Sequence, residues 1–124
     1  MNSPEWQINK TGQIVISLTN EAKQAKEQYK KLQSKGQLPK QRLTFEDAFA
    51  AAGGTLARVI MQWGQYLGKS FEWIALNDPG WCLHITYDYE SKDIKHLKTE
   101  REQFMRRFTC YLLSFPVFKH TLLL

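Results

Sequence analysis

The sequence predicts a small α+β domain in which helix exceeds strand. Apolar residues recur every three or four positions in several segments, two β-branched segments stand between turn-forming residues, and glycines or prolines separate the segments. The chain has 124 residues, of which 43% are hydrophobic and 23% are charged. A chain of this length can bury a core without a disulfide framework or a metal. We therefore expect one domain over residues 1–124, with a flexible connector at residues 36–43.

The N-terminal segment predicts a β-hairpin. Trp6 and Ile8 alternate with polar residues, residues 9–12 supply turn chemistry, and residues 14–16 are a β-branched run.

A helix is expected next, over about residues 20–35, capped by Thr19 or Asn20 and ended by Gly36. Its thin apolar stripe consists of Ala22, Ala25, Tyr29 and Leu32. Three lysines form a second row beside that stripe, because residues three and four apart share a helix face. These are Lys23, Lys26 and Lys30. Pro39 prevents the helix from continuing through the connector.

The middle of the chain predicts a short helix and then an ambiguous segment. Thr44 and Asp47 form a capping-box pattern ahead of a short apolar face that ends at glycines 53 and 54. Residues 56–63 match both a helical face and a short buried strand. We favour the strand, because Val59 and Ile60 are β-branched and glycines bound the segment.

Three helices are predicted in the C-terminal half. Ser70 can cap the first, and Asp78 can cap the second, whose first residue is Pro79. The third is expected to run from a Ser91 cap to Pro116. Its apolar stripe consists of Ile94, Leu97, Phe104, Phe108, Leu112 and Phe115. Arg101 lies on that stripe and is expected to reach a carboxylate or extend to solvent.

Positive charge is concentrated at the two ends of the chain. Residues 1–43 carry a net charge of +5, residues 44–90 carry −4, and residues 91–124 carry +4. Clustered cations are typical of a protein that binds nucleic acid, although lysine-rich helix faces are also ordinary solvated surfaces. The predicted nucleic-acid-binding residues are Lys23, Lys26, Lys30, Lys35, Lys40, Arg42, Tyr66, Lys69, Lys92, Lys95, Arg106 and Arg107.

Residues 63–81 carry the most distinctive motif. It contains an aromatic residue, two glycines, a tyrosine, a lysine and then Ser70-Phe71. The sequence Asp78-Pro79-Gly80-Trp81 follows shortly after. This pattern resembles the small module at the C-terminal end of exonuclease X-like proofreading nucleases and in quorum-sensing-regulated virulence factors. The resemblance implies an accessory module of nucleic-acid enzymes rather than their catalytic part. Gln65 and Leu67 depart from it, because that family usually has lysine at both positions.

The same motif has a purely structural interpretation. Its glycines permit a tight turn, Ser70 caps a helix, and Phe71, Trp73 and Trp81 belong to a core. Exposed aromatic rings beside lysine are also what stacks bases. The sequence leaves both interpretations open.

Enzymatic and metal chemistry find little support in the sequence. The one Asp-x-Glu, at Asp88 and Glu90, falls at the end of a predicted helix, where we expect solvated charge rather than a nuclease metal site. Cys82 and His84 have no second pair of ligands at zinc-site spacing. We expect no cofactor and no metal.

The sequence thus predicts a non-catalytic, nucleic-acid-associated accessory module that contacts the phosphate backbone through its basic flanks. The alternative is a protein-interaction or assembly domain, or a homo-oligomer, that uses aromatic surface and the apolar tail at residues 117–124. Met1 is followed by polar residues, and the longest apolar runs are far shorter than the ~20 residues of a membrane span. We therefore expect an intracellular protein, cytoplasmic or nuclear, with no membrane partner.

Overall fold

The computed structural model describes residues 7–8, 14–15 and 18–118, and helices dominate that part of the chain. Two strands are β1 (Gln7–Ile8) and β2 (Ile14–Val15). The helices are α1 (Asn20–Ser34), α2 (Phe45–Ala51), α3 (Phe71–Asn77), α4 (Pro79–Tyr89) and α5 (Glu100–Leu113). Three 3₁₀ turns span Leu56–Arg58, Gly64–Tyr66 and Ile94–His96. None of the described helices combines the length and the apolar character needed to cross a bilayer.

Side-chain caps begin four of the helices where the sequence predicts them. Thr19, Thr44, Ser70 and Asp78 each accept a hydrogen bond from the backbone N–H three residues ahead. Each cap satisfies a donor that the first turn of a helix leaves without a partner. The predicted starts of α1, α2, α3 and α4 are therefore confirmed.

The aromatic core is built around α5. The Phe71 ring lies 4.7 Å from that of Phe108 and 5.9 Å from that of Phe104, and Phe104 in turn meets Phe45 of α2 at 5.6 Å. α5 contacts α2, α3 and α4, whereas α1 contacts α3 and the turn at Gly64–Tyr66. Phe118 is fully buried, and residues 119–124 of the predicted apolar tail lie outside the described residues.

The predicted α+β class is wrong, because helices and their connecting loops supply the core of the described chain. β1 and β2 pair antiparallel through Gln7 with Val15 and Ile8 with Ile14, and this ladder is two residues long on each strand. Most of the predicted hairpin lies outside the described residues. The fold is therefore a helical one.

The predicted strand over residues 56–63 is also wrong. Its first part is the 3₁₀ turn Leu56–Arg58, and its extended part makes a single bridge, between Ile60 and Ser70. Burial alternates as in a strand, since Val59 and Met61 are fully buried while Ile60 is 41% exposed. Within the described chain its backbone bridges only to the opposite side of its own turn, so no sheet grows from it.

The last helix begins later than predicted. α5 starts at Glu100 with Thr99 as its cap, because the Thr99 hydroxyl accepts a hydrogen bond from Glu102 N and donates one to the Glu102 carboxylate, both at 3.0 Å. The Ser91 cap was wrong, because Ile94–His96 forms a separate 3₁₀ turn ahead of α5. Lys92 and Lys95 are therefore not on the same helix as Arg106. The helix ends at Leu113, ahead of the predicted stop at Pro116.

Candidate functional site

The motif at residues 63–81 begins in a closed loop, residues 59–71, which we call the glycine turn. Its two sides are joined by backbone hydrogen bonds from Phe71 N to Val59 O at 2.9 Å and from Met61 N to Lys69 O at 2.8 Å. Gly64 and Gly68 have φ angles of +79° and +89°, a conformation that side-chain-bearing residues rarely adopt. The two glycines therefore set the path of the loop.

Tyr66 anchors the glycine turn from inside the protein. Its ring is fully buried between Trp73 and Trp81, and its hydroxyl donates a hydrogen bond to the buried carboxylate of Asp78. Burial, followed by the bond to Asp78, raises the pKa of the Tyr66 hydroxyl. Asp78 also accepts from Trp81 N at 3.2 Å, and its Oδ2 atom lies 3.6 Å from Lys26 Nζ.

This burial corrects one predicted role. Tyr66 was expected to contact nucleic acid, but a ring with no exposed surface cannot stack on a base. Its position instead matches the structural interpretation of the motif.

Three further cations lie in or against the glycine turn, and we call the part of its surface that carries them its outer side. The Arg42 guanidinium stacks 4.3 Å above the Trp63 ring and donates from Nε to Gln62 O at 2.8 Å. Lys69 Nζ lies 4.9 Å above the Trp73 ring. Arg101 reaches the turn from α5, because a Cβ atom on Gly64 would lie 4.0 Å from its Nη2. Lys69 and Arg42 were predicted site residues, whereas Arg101 and Trp73 were not.

Arg101 could not have been assigned from its position in the sequence. It was expected to pair with a carboxylate or extend to solvent, and it is exposed with no carboxylate within 4.0 Å among the described residues. The Arg101 side chain reaches Gly64 only because α5 packs where it does in the fold.

The lysine row of α1 lies to one side of this cluster. Lys23 and Lys30 are exposed, and Lys26 faces Asp78. Successive residues of an α-helix are about 100° apart around the helix axis, so Gln24 and Gln28 lie nearly opposite Lys26. Lys35 and Lys40 are exposed at the end of α1 and in the connector. The predicted flexibility of the connector stays a prediction, although its Arg42 and Leu43 are both hydrogen-bonded to Gln62.

The predicted site residues of the second basic flank make their contacts elsewhere. Lys92 Nζ lies 4.2 Å above the Tyr89 ring, and Arg107 lies 5.3 Å above Phe45. Arg106 donates to Lys92 O at 3.0 Å and to Cys110 Sγ at 2.9 Å. Lys95 is exposed beside the 3₁₀ turn at residues 94–96. These contacts lie around α2, α5 and the end of α4 rather than at the glycine turn.

Metal ligands do not gather within the described chain, where His, Cys, Asp and Glu form no group of three. Cys82 is fully buried, and burial raises the pKa of its thiol well above the usual value. His84 is exposed, with Nε2 3.4 Å from Asp88 Oδ2. The arrangement offers cations and aromatic rings rather than a reactive cluster.

Comparisons with protein-family models, curated proteins and solved structures gave no match to this chain. The resemblance of residues 63–81 to the exonuclease X-like module stays a prediction.

Proposed function

We propose that the chain is a non-catalytic module that binds nucleic acid, with the outer side of the glycine turn as its contact surface. The observation that carries this proposal is the meeting of Arg42, Lys69 and Arg101 at one loop, two of them stacked on tryptophan rings. They come from the connector, the turn and α5. Cations from both basic ends of the sequence therefore adjoin the distinctive motif.

The charge state of these side chains favours a polyanion as ligand. Arg42, Lys69 and Arg101 have no carboxylate within 4.0 Å among the described residues, so their charge is not neutralised by an ion pair there. Arg42 uses Nε for Gln62, which leaves its two terminal amino groups for an acceptor. A guanidinium binds phosphate through two parallel N–H bonds, and stacking on indole holds it in place.

The half-buried tryptophans favour nucleic acid over a simple anion. Trp63 and Trp73 each keep part of their surface accessible and each carry a cation. Aromatic rings beside positive charge are how proteins bind unpaired bases and their phosphates together. The acidic net charge of residues 44–90 opposes such binding, so the proposal depends on the cations at the glycine turn and not on the total charge of the chain.

The test is the salt dependence of oligonucleotide binding. Fluorescence anisotropy with labelled DNA and RNA at two salt concentrations should show affinity that falls steeply with salt. The double variant Arg42→Ala/Arg101→Ala should weaken binding and reduce the slope of log K against log salt by about 1.4 to 1.8, from two lost phosphate contacts. Circular dichroism checks that each variant is folded.

The matched control removes two charges from residues 92–95, whose described side chains make no contact with the glycine turn. Lys92→Ala/Lys95→Ala makes the same change in net charge away from the glycine turn, so it should leave the slope near that of the wild type. If the control weakens binding and the first variant does not, the contact surface lies at residues 92–95 rather than at the glycine turn. No binding at low salt rejects the proposed function.

Self-association is a second candidate function, favoured by an apolar cavity on another face. The cavity holds about 390 Å³ and is lined by Phe45, Phe49 and Leu56, with Glu46, Arg107 and Cys110 beside them. Light scattering over a range of concentrations tests it. A dimer that Leu56→Glu dissociates supports this function, and a monomer at every concentration rejects it.

A further inference from the structure

A polar groove runs between α1 and the glycine turn. It consists of two adjoining cavities of about 390 and 190 Å³, which share Ala25, Gln28 and Lys69 in their walls. The larger one falls within the size range of ligand sites in proteins. The lysine row on the far side of α1 does not line either cavity.

The walls of the groove carry side-chain amides that are not hydrogen-bonded to other described residues. Gln24 and Gln28 project from α1 and Gln65 projects from the turn, and none of their side-chain amides has a hydrogen-bond partner among the described residues. Each amide offers both donors and an acceptor. Gln24 and Gln28 are exposed, and Gln65 is partly buried.

Aromatic and charged groups complete the groove. Trp73 lines the larger cavity and Tyr29 lines the smaller one. Lys69 lies between them, with Nζ over the Trp73 ring. Glu21 also lines the larger cavity, and its carboxylate repels phosphate. A ligand with an uncharged, planar, hydrogen-bonding part and an attached phosphate therefore fits with its phosphate at Lys69.

We infer that this groove takes an unpaired nucleobase, so that the module binds single strands in preference to duplexes. The inference rests on the proposed function and names its substrate class. Glutamine amides pair with base edges, and a whole base can enter a groove of the protein only when it is unstacked and unpaired, as in a single strand. Lys69 lines the groove and is also one of the three cations at the glycine turn, so a base in the groove has its backbone phosphate at Lys69.

The experiment compares one oligonucleotide as a single strand and as its annealed duplex, by fluorescence anisotropy at low salt. Gln28→Leu and Gln65→Leu are tested separately, since they lie on different elements and the misfolding of one leaves the other informative. Each should lower single-strand affinity by about fivefold or more, because a bidentate amide–base pair is worth at least that. Duplex affinity should stay unchanged.

Gln33→Leu is the matched control, an exposed glutamine of α1 that lines neither cavity. It should bind both forms as the wild type does. Duplex binding as tight as single-strand binding overturns the inference while the proposed function stands. Equal losses from the groove variants and the control, or no loss from either groove variant, also overturn it. Failure of both strand forms to bind rejects the proposed function itself.

Discussion

Removing one buried hydroxyl should measure how firmly the glycine turn is held. Tyr66→Phe keeps the aromatic ring between Trp73 and Trp81 and deletes only the group that donates to the Asp78 carboxylate. Asp78 is 3% exposed, so water cannot readily replace the lost donor. The carboxylate keeps the Trp81 N–H and Lys26 at 3.6 Å.

The expected loss follows from these contacts. A hydrogen bond to a charged group contributes about 1.5–3 kcal/mol to stability. Unfolding entropy is about 2.1 cal/mol/K per residue, so Tm falls by about 4 °C for each kcal/mol in a chain of this length. We therefore expect Tyr66→Phe to lower Tm by about 6–11 °C.

Thermal and urea unfolding followed by circular dichroism would measure this loss. Tyr87→Phe is the control, because Tyr87 is 75% exposed and its change should stay within about 0.5 kcal/mol. If Tyr66→Phe is as mild as the control, the bond from Tyr66 to Asp78 does not stabilise the turn and the structural interpretation of Tyr66 fails.

Three other predictions concern the fold. Burial raises the pKa of Tyr111 to about 12 and also raises the pKa of Tyr66. The folded chain therefore holds both hydroxyl protons more tightly than the unfolded chain does. The free energy of unfolding should therefore fall as pH rises above about 10, and a urea midpoint that rises there would contradict this. Thr99→Ala should lower the free energy of unfolding in urea by about 1 kcal/mol because Thr99 caps α5, whereas Ser91→Ala should change it by no more than about 0.5 kcal/mol. A larger loss from Ser91→Ala than from Thr99→Ala would indicate that the helix begins at Ser91. Exposed Cys110 should react with Ellman's reagent in the native protein and buried Cys82 only after unfolding, and two fast thiols would show that Cys82 is accessible.

Helix starts could be predicted from the sequence because their signals are local. Thr44 with Asp47 and Ser70 with Trp73 lie within one turn of each other, so each cap can be recognised from four consecutive residues. α5 shows the limit of such signals. Ser91 and Thr99 both precede apolar spacing, and the break at residues 94–96 is not encoded by any glycine or proline.

The candidate site was only half predictable, because its parts come from distant positions. Lys69 lies in the motif itself and was predicted, but Arg101 joins it through the packing of α5. Tyr66 was predicted as a contact residue and is buried instead, because a tyrosine between glycines is compatible with both an exposed stacking ring and a buried anchor. Burial depends on Trp73, Trp81 and Asp78 closing around it, which residue spacing alone does not determine.

Mapping the contact surface by NMR tests the central claim most directly. Backbone amide resonances of the labelled protein would be followed while an unlabelled single-stranded oligonucleotide is added at low salt. We expect the largest shift changes to cluster at residues 62–69, at Arg42 and at Arg101, and to disappear at high salt. Changes centred on Phe45, Phe49 and Leu56, or on residues 92–95, or no changes at all, would contradict it.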